Sequence, residues 1–150
     1  MKTIIKKLNW YYYGIMLLTV FAATISYFLI VKQIIAPIDP MSTVGQVFQY
    51  VTILNALATI PLGLWKHKRN CAKIAKIEDE PAREAAYYKS ALFRILAVSN
   101  SMVFAFSAYY LMGAYKSMLW VAAIGAIGWY FTKPTERKMQ LELSPSEEQY

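Results

Sequence analysis

Asn55 and Thr59 interrupt one long apolar stretch, and Ser99, Asn100 and Ser101 interrupt another. Amides and hydroxyls in such surroundings either bind a ligand or hydrogen-bond one helix to the next, because an unpaired polar group in an apolar medium is costly. If the two stretches form antiparallel helices, Asn55 and Asn100 lie at matching depth. Pro61 has no N–H and so frees the carbonyl of Leu57, four residues earlier. These groups together predict a small ligand-binding site at a helix kink. The plainer alternative is helix-to-helix bonding, worth ~0.6 kcal/mol per contact on average.

Harder chemistry has little to work with. The chain carries one cysteine, Cys71, and one histidine, His67. An intrachain disulfide, a haem held by two histidines and a cluster of thiolates all need more. His67 stands in the basic run Lys66–Arg69 and is expected to be solvated at an interface, while Cys71 is expected to pack. The two are one helical turn apart, too thin a pair to carry a reaction alone. Lys32 and Arg94 fall at the ends of apolar stretches, where long side chains snorkel to water. No Asp or Glu lies inside a stretch, which argues against a proton-coupled exporter built on a membrane carboxylate. No phosphate-cradling loop, nucleophile elbow or metal-ligand spacing occurs. Neither a catalytic residue, a metal nor a cofactor is expected.

The elements that must position these groups are legible in the composition. Hydrophobic residues make up 57% of the 150, and charged ones 17%, against about 25% charged in soluble domains. The charges come in blocks between apolar runs, a layout suited to a bilayer. The net charge of +7 is carried by residues flanking those runs, where Lys and Arg set topology and meet anionic headgroups. No nucleic-acid partner is expected.

Four runs have spanning character: 10–31, 44–65, 95–115 and 117–132. The last, at ~1.5 Å per residue, reaches about 24 Å and is short for a ~30 Å core. Lys2, Lys6, Lys7, Lys66, Lys68, Arg69, Lys73, Lys76, Arg83, Lys89, Arg94, Lys133, Arg137 and Lys138 fall on one side of that layout. Only Lys32 and Lys116 fall on the other. The positive-inside rule then places both termini in the cytoplasm. The predicted fold is an all-α, four-transmembrane-helix bundle over residues 1–133, with a polar cytoplasmic tail over 134–150.

Residues 66–94 are expected to continue the second and third helices into a cytoplasmic hairpin. Its turn is set by Glu78, Asp79 and Glu80 ahead of Pro81, a helix-start pattern. That acidic tip, with Arg83, is the predicted handle for a partner. In the tail, Met139, Leu141 and Leu143 suggest a short amphipathic turn, and Ser144 to Glu147 has the form of a capping box.

Small residues recur at helical spacing: Ala97 and Ala105 on the third span, and Ala122, Gly125, Ala126 and Gly128 on the fourth. Such spacing lets helix backbones approach closely, within a chain or between copies. The function expected from these features is non-enzymatic: an accessory, assembly or interaction subunit of a homo-oligomeric or larger complex in a bacterial inner membrane. Its expected partners are anionic membrane lipids and either a second copy or another membrane protein. The alternatives are a small oligomeric channel or transporter for an uncharged or apolar solute, lined by Asn55, Thr59 and Asn100, and a lipid-modifying enzyme working near His67, Arg69 and Arg94.

Overall fold

A computed structural model describes residues 2–144, and these are entirely helical or connecting. There are five helices: α1 (Lys2–Val31), α2 (Thr43–Ile74), α3 (Glu80–Leu111), α4 (Lys116–Phe131) and α5 (Glu136–Leu143). The first three are each long and apolar enough to cross a membrane, and they mark the chain as a membrane protein. The helix α4 is apolar but only 16 residues long.

Local sequence explains the helix ends. Ser42 caps α2 by accepting from the Gly45 N–H at 3.0 Å, and Asp79 caps α3 by accepting from the Ala82 N–H at 3.0 Å. Such caps satisfy donors that a helix start leaves open. The turn of the predicted hairpin therefore sits at Asp79. The third apolar run stops at Leu111, four residues before the expected end, because Gly113 and Ala114 take positive φ and break the helix. At the other extreme, α1 begins at Lys2, so Lys2, Lys6 and Lys7 are carried on helix.

The central element is α3. It packs against α1, α2 and α4, and half of its most apolar window is buried, against 11% for α1 and 17% for α2. One hydrophobic cluster joins Ile5 and Leu8 of α1, Cys71 and Ile74 of α2, Tyr87, Ala91 and Ile95 of α3, and Met139 of α5. A second, towards the opposite end of α3, gathers Ala108, Met112 and Met118 with Ile38, Phe48 and Tyr115 around them. Thus the start of α1, the end of α2, the start of α3 and α5 share one end of an up-and-down bundle.

Within the hairpin, Ala72, Ala82 and Ala85 are exposed, and the two arms meet through Ile74, Tyr87 and Ala91. The small residues bury where α4 lies on α3. A Cβ on Gly125 would stand 3.0 Å from the Met102 backbone, and one on Gly128 would stand 3.1 Å from Val98. Ala105 and Ala122 are fully buried, while Ala97 and Ala126 are half-buried.

Candidate functional site

Two polar groupings stand out, one at the middle of α2 and α3 and one at the end where α5 docks.

At the middle, the two helices bring Asn55 and Asn100 together: the Asn100 amide N–H donates to Asn55 Oδ1 at 2.9 Å. The hydroxyls expected nearby do not join them. Thr59 donates to the Asn55 carbonyl of its own helix at 2.7 Å, Ser99 to the Ile95 carbonyl, and Ser101 to the Val98 carbonyl at 2.7 Å. This is the back-bonding that Ser and Thr adopt inside apolar helices. The helix α2 continues through Pro61. Asn55 Nδ2 is buried with no hydrogen-bond partner among the described residues, and Asn100 is exposed.

At the α5 end, six side chains from three helices form a connected network. Glu142 is its centre. Its Oε1 accepts from Arg94 Nη1 at 2.7 Å, and its Oε2 accepts from the Tyr87 hydroxyl at 2.7 Å. His67 Nε2 lies 3.1 Å from the same Oε2 and 3.4 Å from Cys71 Sγ, while His67 Nδ1 lies 2.9 Å from Ser90 Oγ. His67 and Arg94 are 2% and 3% exposed, which corrects both sequence expectations: neither is solvated or snorkelling. The reason is α5. Its cap Thr135 accepts from the Lys138 N–H at 3.2 Å, which sets a register that buries Met139 and turns Glu142 inward while Leu141 stays exposed. A buried Arg needs such a carboxylate.

Burial alone would raise the Glu142 carboxyl, but hydrogen bonding from His67, the Arg94 charge and the Tyr87 hydroxyl outweigh it and hold its pKa down to about 2. It is therefore a carboxylate across the physiological range. Arg94 Nε and Nη2 are buried without partners among the described residues.

The network had a faint signal in the sequence. Tyr87, Ser90 and Arg94 recur at three- and four-residue spacing, and His67 and Cys71 at four; such spacings put side chains on one helical face. Nothing in the sequence placed Glu142 opposite them. The hairpin-tip residues Glu78, Asp79 and Glu80 are exposed and Arg83 is half-buried, away from both groupings in the chain. The capping-box sequence from Ser144 to Glu147 runs beyond the described residues.

No family model, curated protein or solved structure matches this chain. Away from both groupings lie an apolar groove of about 480 Å³ between α1 and α3, lined by residues such as Met16, Ala23, Met102 and Phe106, and a shallow one along α1.

Proposed function

We propose that this chain is a non-enzymatic membrane subunit that associates with a second copy of itself through the outer face of α2 and α3. In this reading α1 to α4 all cross the bilayer of a bacterial inner membrane, with the α5 end and both termini on the cytoplasmic side. The basic residues concentrated at that end support the sidedness through the positive-inside rule and would meet anionic headgroups. The shortness of α4 calls for local thinning of the bilayer around it.

The observation that carries the reading is Asn100. It is exposed about two-thirds of the way along α3, where hydrocarbon would surround it, and its amide oxygen accepts nothing within the described residues. Leu96 and Phe104, one turn to either side, are 49% and 37% exposed. A carboxamide both donates and accepts, so two copies of Asn100 satisfy each other across a two-fold axis, flanked by the apolar stripes. Asn55 orients the amide from behind. Gly125 and Gly128 are used up where α4 lies on α3, so the Asn100 face, with its free amide oxygen, is the one left to a second copy in this reading.

The test is energy transfer between donor- and acceptor-labelled copies in liposomes as protein density varies. Asn100→Leu should weaken association about 3- to 20-fold, the range expected from interhelical polar contacts of ~0.6–1.7 kcal/mol. A wild type that stays monomeric at every density, or an Asn100→Leu curve that overlays it, would remove the proposal. The acidic tip, exposed at Glu78, Asp79 and Glu80 and flanked by the half-buried Arg83, is the proposed contact for a water-side partner. Deleting it should leave the liposome dimer intact.

A further inference from the structure

We propose that His67, Cys71 and Glu142 form a binding site for one divalent transition-metal ion, of which zinc is the best chemical match. It lies outside the dimer face and does not depend on it. The three donor atoms, an imidazole nitrogen, a sulfur and a carboxylate oxygen, lie within 4.8 Å of one another, and both His67 and Cys71 are buried. Bond lengths of ~2.0–2.3 Å in a tetrahedral zinc site put neighbouring donor atoms ~3.3–3.6 Å apart. His67 Nε2 is already 3.4 Å from Cys71 Sγ and 3.1 Å from Glu142 Oε2. Both edges at that nitrogen are within a few tenths of an ångström of this spacing, and the third, between Sγ and the carboxylate, is no longer than 4.8 Å.

The surroundings are those of a supported metal site. A ligating histidine normally donates its other ring N–H to an oxygen, which fixes the tautomer. Here Ser90 Oγ lies 2.9 Å from Nδ1, so an Nδ1–H donating to Ser90 leaves the Nε2 lone pair facing Cys71 and Glu142. The carboxylate is likewise held by Arg94 and Tyr87. Without a cation the other tautomer, Nε2–H with Nδ1 accepting from the Ser90 hydroxyl, has one proton to offer two acceptors, Sγ and Oε2, and metal binding shifts that proton to Nδ1. With one, all three lone pairs have a common target. Binding displaces the Cys71 thiol proton, which leaves to solvent, so one proton is released per ion bound near neutral pH. The thiolate and carboxylate against the Arg94 cation leave one net negative charge to meet the divalent ion. Three protein ligands leave the fourth position to water, as in open zinc sites.

The experiment uses the full chain, purified without a polyhistidine tag, stripped with chelator and titrated with cobalt(II), then zinc. Wild type should take up one cobalt per chain and develop thiolate-to-cobalt charge-transfer absorption with the intense d–d bands of four-coordination. Zinc should bleach those bands, and an unbuffered sample should acidify by one proton per ion. Cys71→Ser, a near-isosteric change, should lose the charge-transfer band; Glu142→Gln should lose four-coordination. Ser90→Ala should keep the bands but weaken binding about 10-fold or more, as loss of an outer-shell partner does. Circular dichroism and elution volume verify that each variant stays folded. Failure of wild type to give the thiolate band, or its persistence in Cys71→Ser, overturns the site. So would a cobalt affinity unchanged by both Cys71→Ser and Glu142→Gln.

Discussion

Arg94 and Glu142 are joined by a 2.7 Å hydrogen bond between residues 48 apart in the chain. The guanidinium is almost wholly enclosed and the carboxylate one-fifth exposed. Through this pair the last helix is fixed to the middle of α3, and His67, which lay in an apparently solvated basic run, becomes interior.

Removing one side of that pair should undock α5. Glu142→Ala leaves a buried guanidinium with no counter-charge, which costs on the order of 2–3 kcal/mol once the partial exposure of Glu142 is allowed for. Hydrogen exchange over residues 136–143 should accelerate by about 30-fold or more while the centres of α2 and α3 stay protected. Replacing both partners, as Arg94→Met with Glu142→Leu, should restore much of that protection, because an apolar pair leaves no charge stranded. Equal exchange in wild type and Glu142→Ala would show that α5 docks through Met139 alone.

The same carboxylate sets an acid limit. In chelator-treated protein, the groups facing Glu142 are His67 and Cys71 of α2 and Tyr87 and Arg94 of α3. The folded state holds the carboxyl down to about 2, from an ordinary value of 4.5. Its contribution to docking is therefore fully present above about pH 4.5. It is lost as pH falls from there to about 2. A fluorophore on the tail should report a docked α5 at pH 5 and an undocked one near pH 2, with Glu142→Gln showing no transition assignable to this group. Undocking that begins well above pH 5 in wild type would contradict the depressed carboxyl.

Two glycines should respond to alanine in opposite directions. At Gly125 an added Cβ meets the Met102 backbone at 3.0 Å, so α4 must move off α3, an overpacking cost of about 1–3 kcal/mol. At Gly14 there is nothing within 4 Å, and Gly→Ala inside a helix gains about 0.5–1 kcal/mol from backbone entropy. Thermal denaturation in detergent should place Gly125→Ala below wild type and Gly14→Ala at or above it. The reverse order would mean that α4 does not lie on α3 as described.

The division between what was readable from residues alone and what was not follows the range of the forces involved. Apolar runs and their charged margins are local, so the helical class, the turn at Asp79 and three helices able to cross a membrane were legible before any coordinates. Helical phase is nearly as local: antiparallel α2 and α3 put Asn55 and Asn100 at one depth, and they do meet. It failed for Thr59, Ser99 and Ser101 because each of these short hydroxyls reaches a backbone carbonyl three or four residues earlier on its own helix.

The Glu142 network was decided only by tertiary structure. Periodicity shows that His67 and Cys71 share one face, and that Tyr87, Ser90 and Arg94 share another, but a face has no address. What completes the site is a helix of 8 residues too short to be stable alone. Its docking depends on Met139 entering a cluster built from α1, α2 and α3. A charge that water would solvate in the isolated tail becomes, once that cluster exists, the counter-ion of a buried arginine. Local sequence fixed the elements; the burial of one methionine settled which of their polar groups face each other.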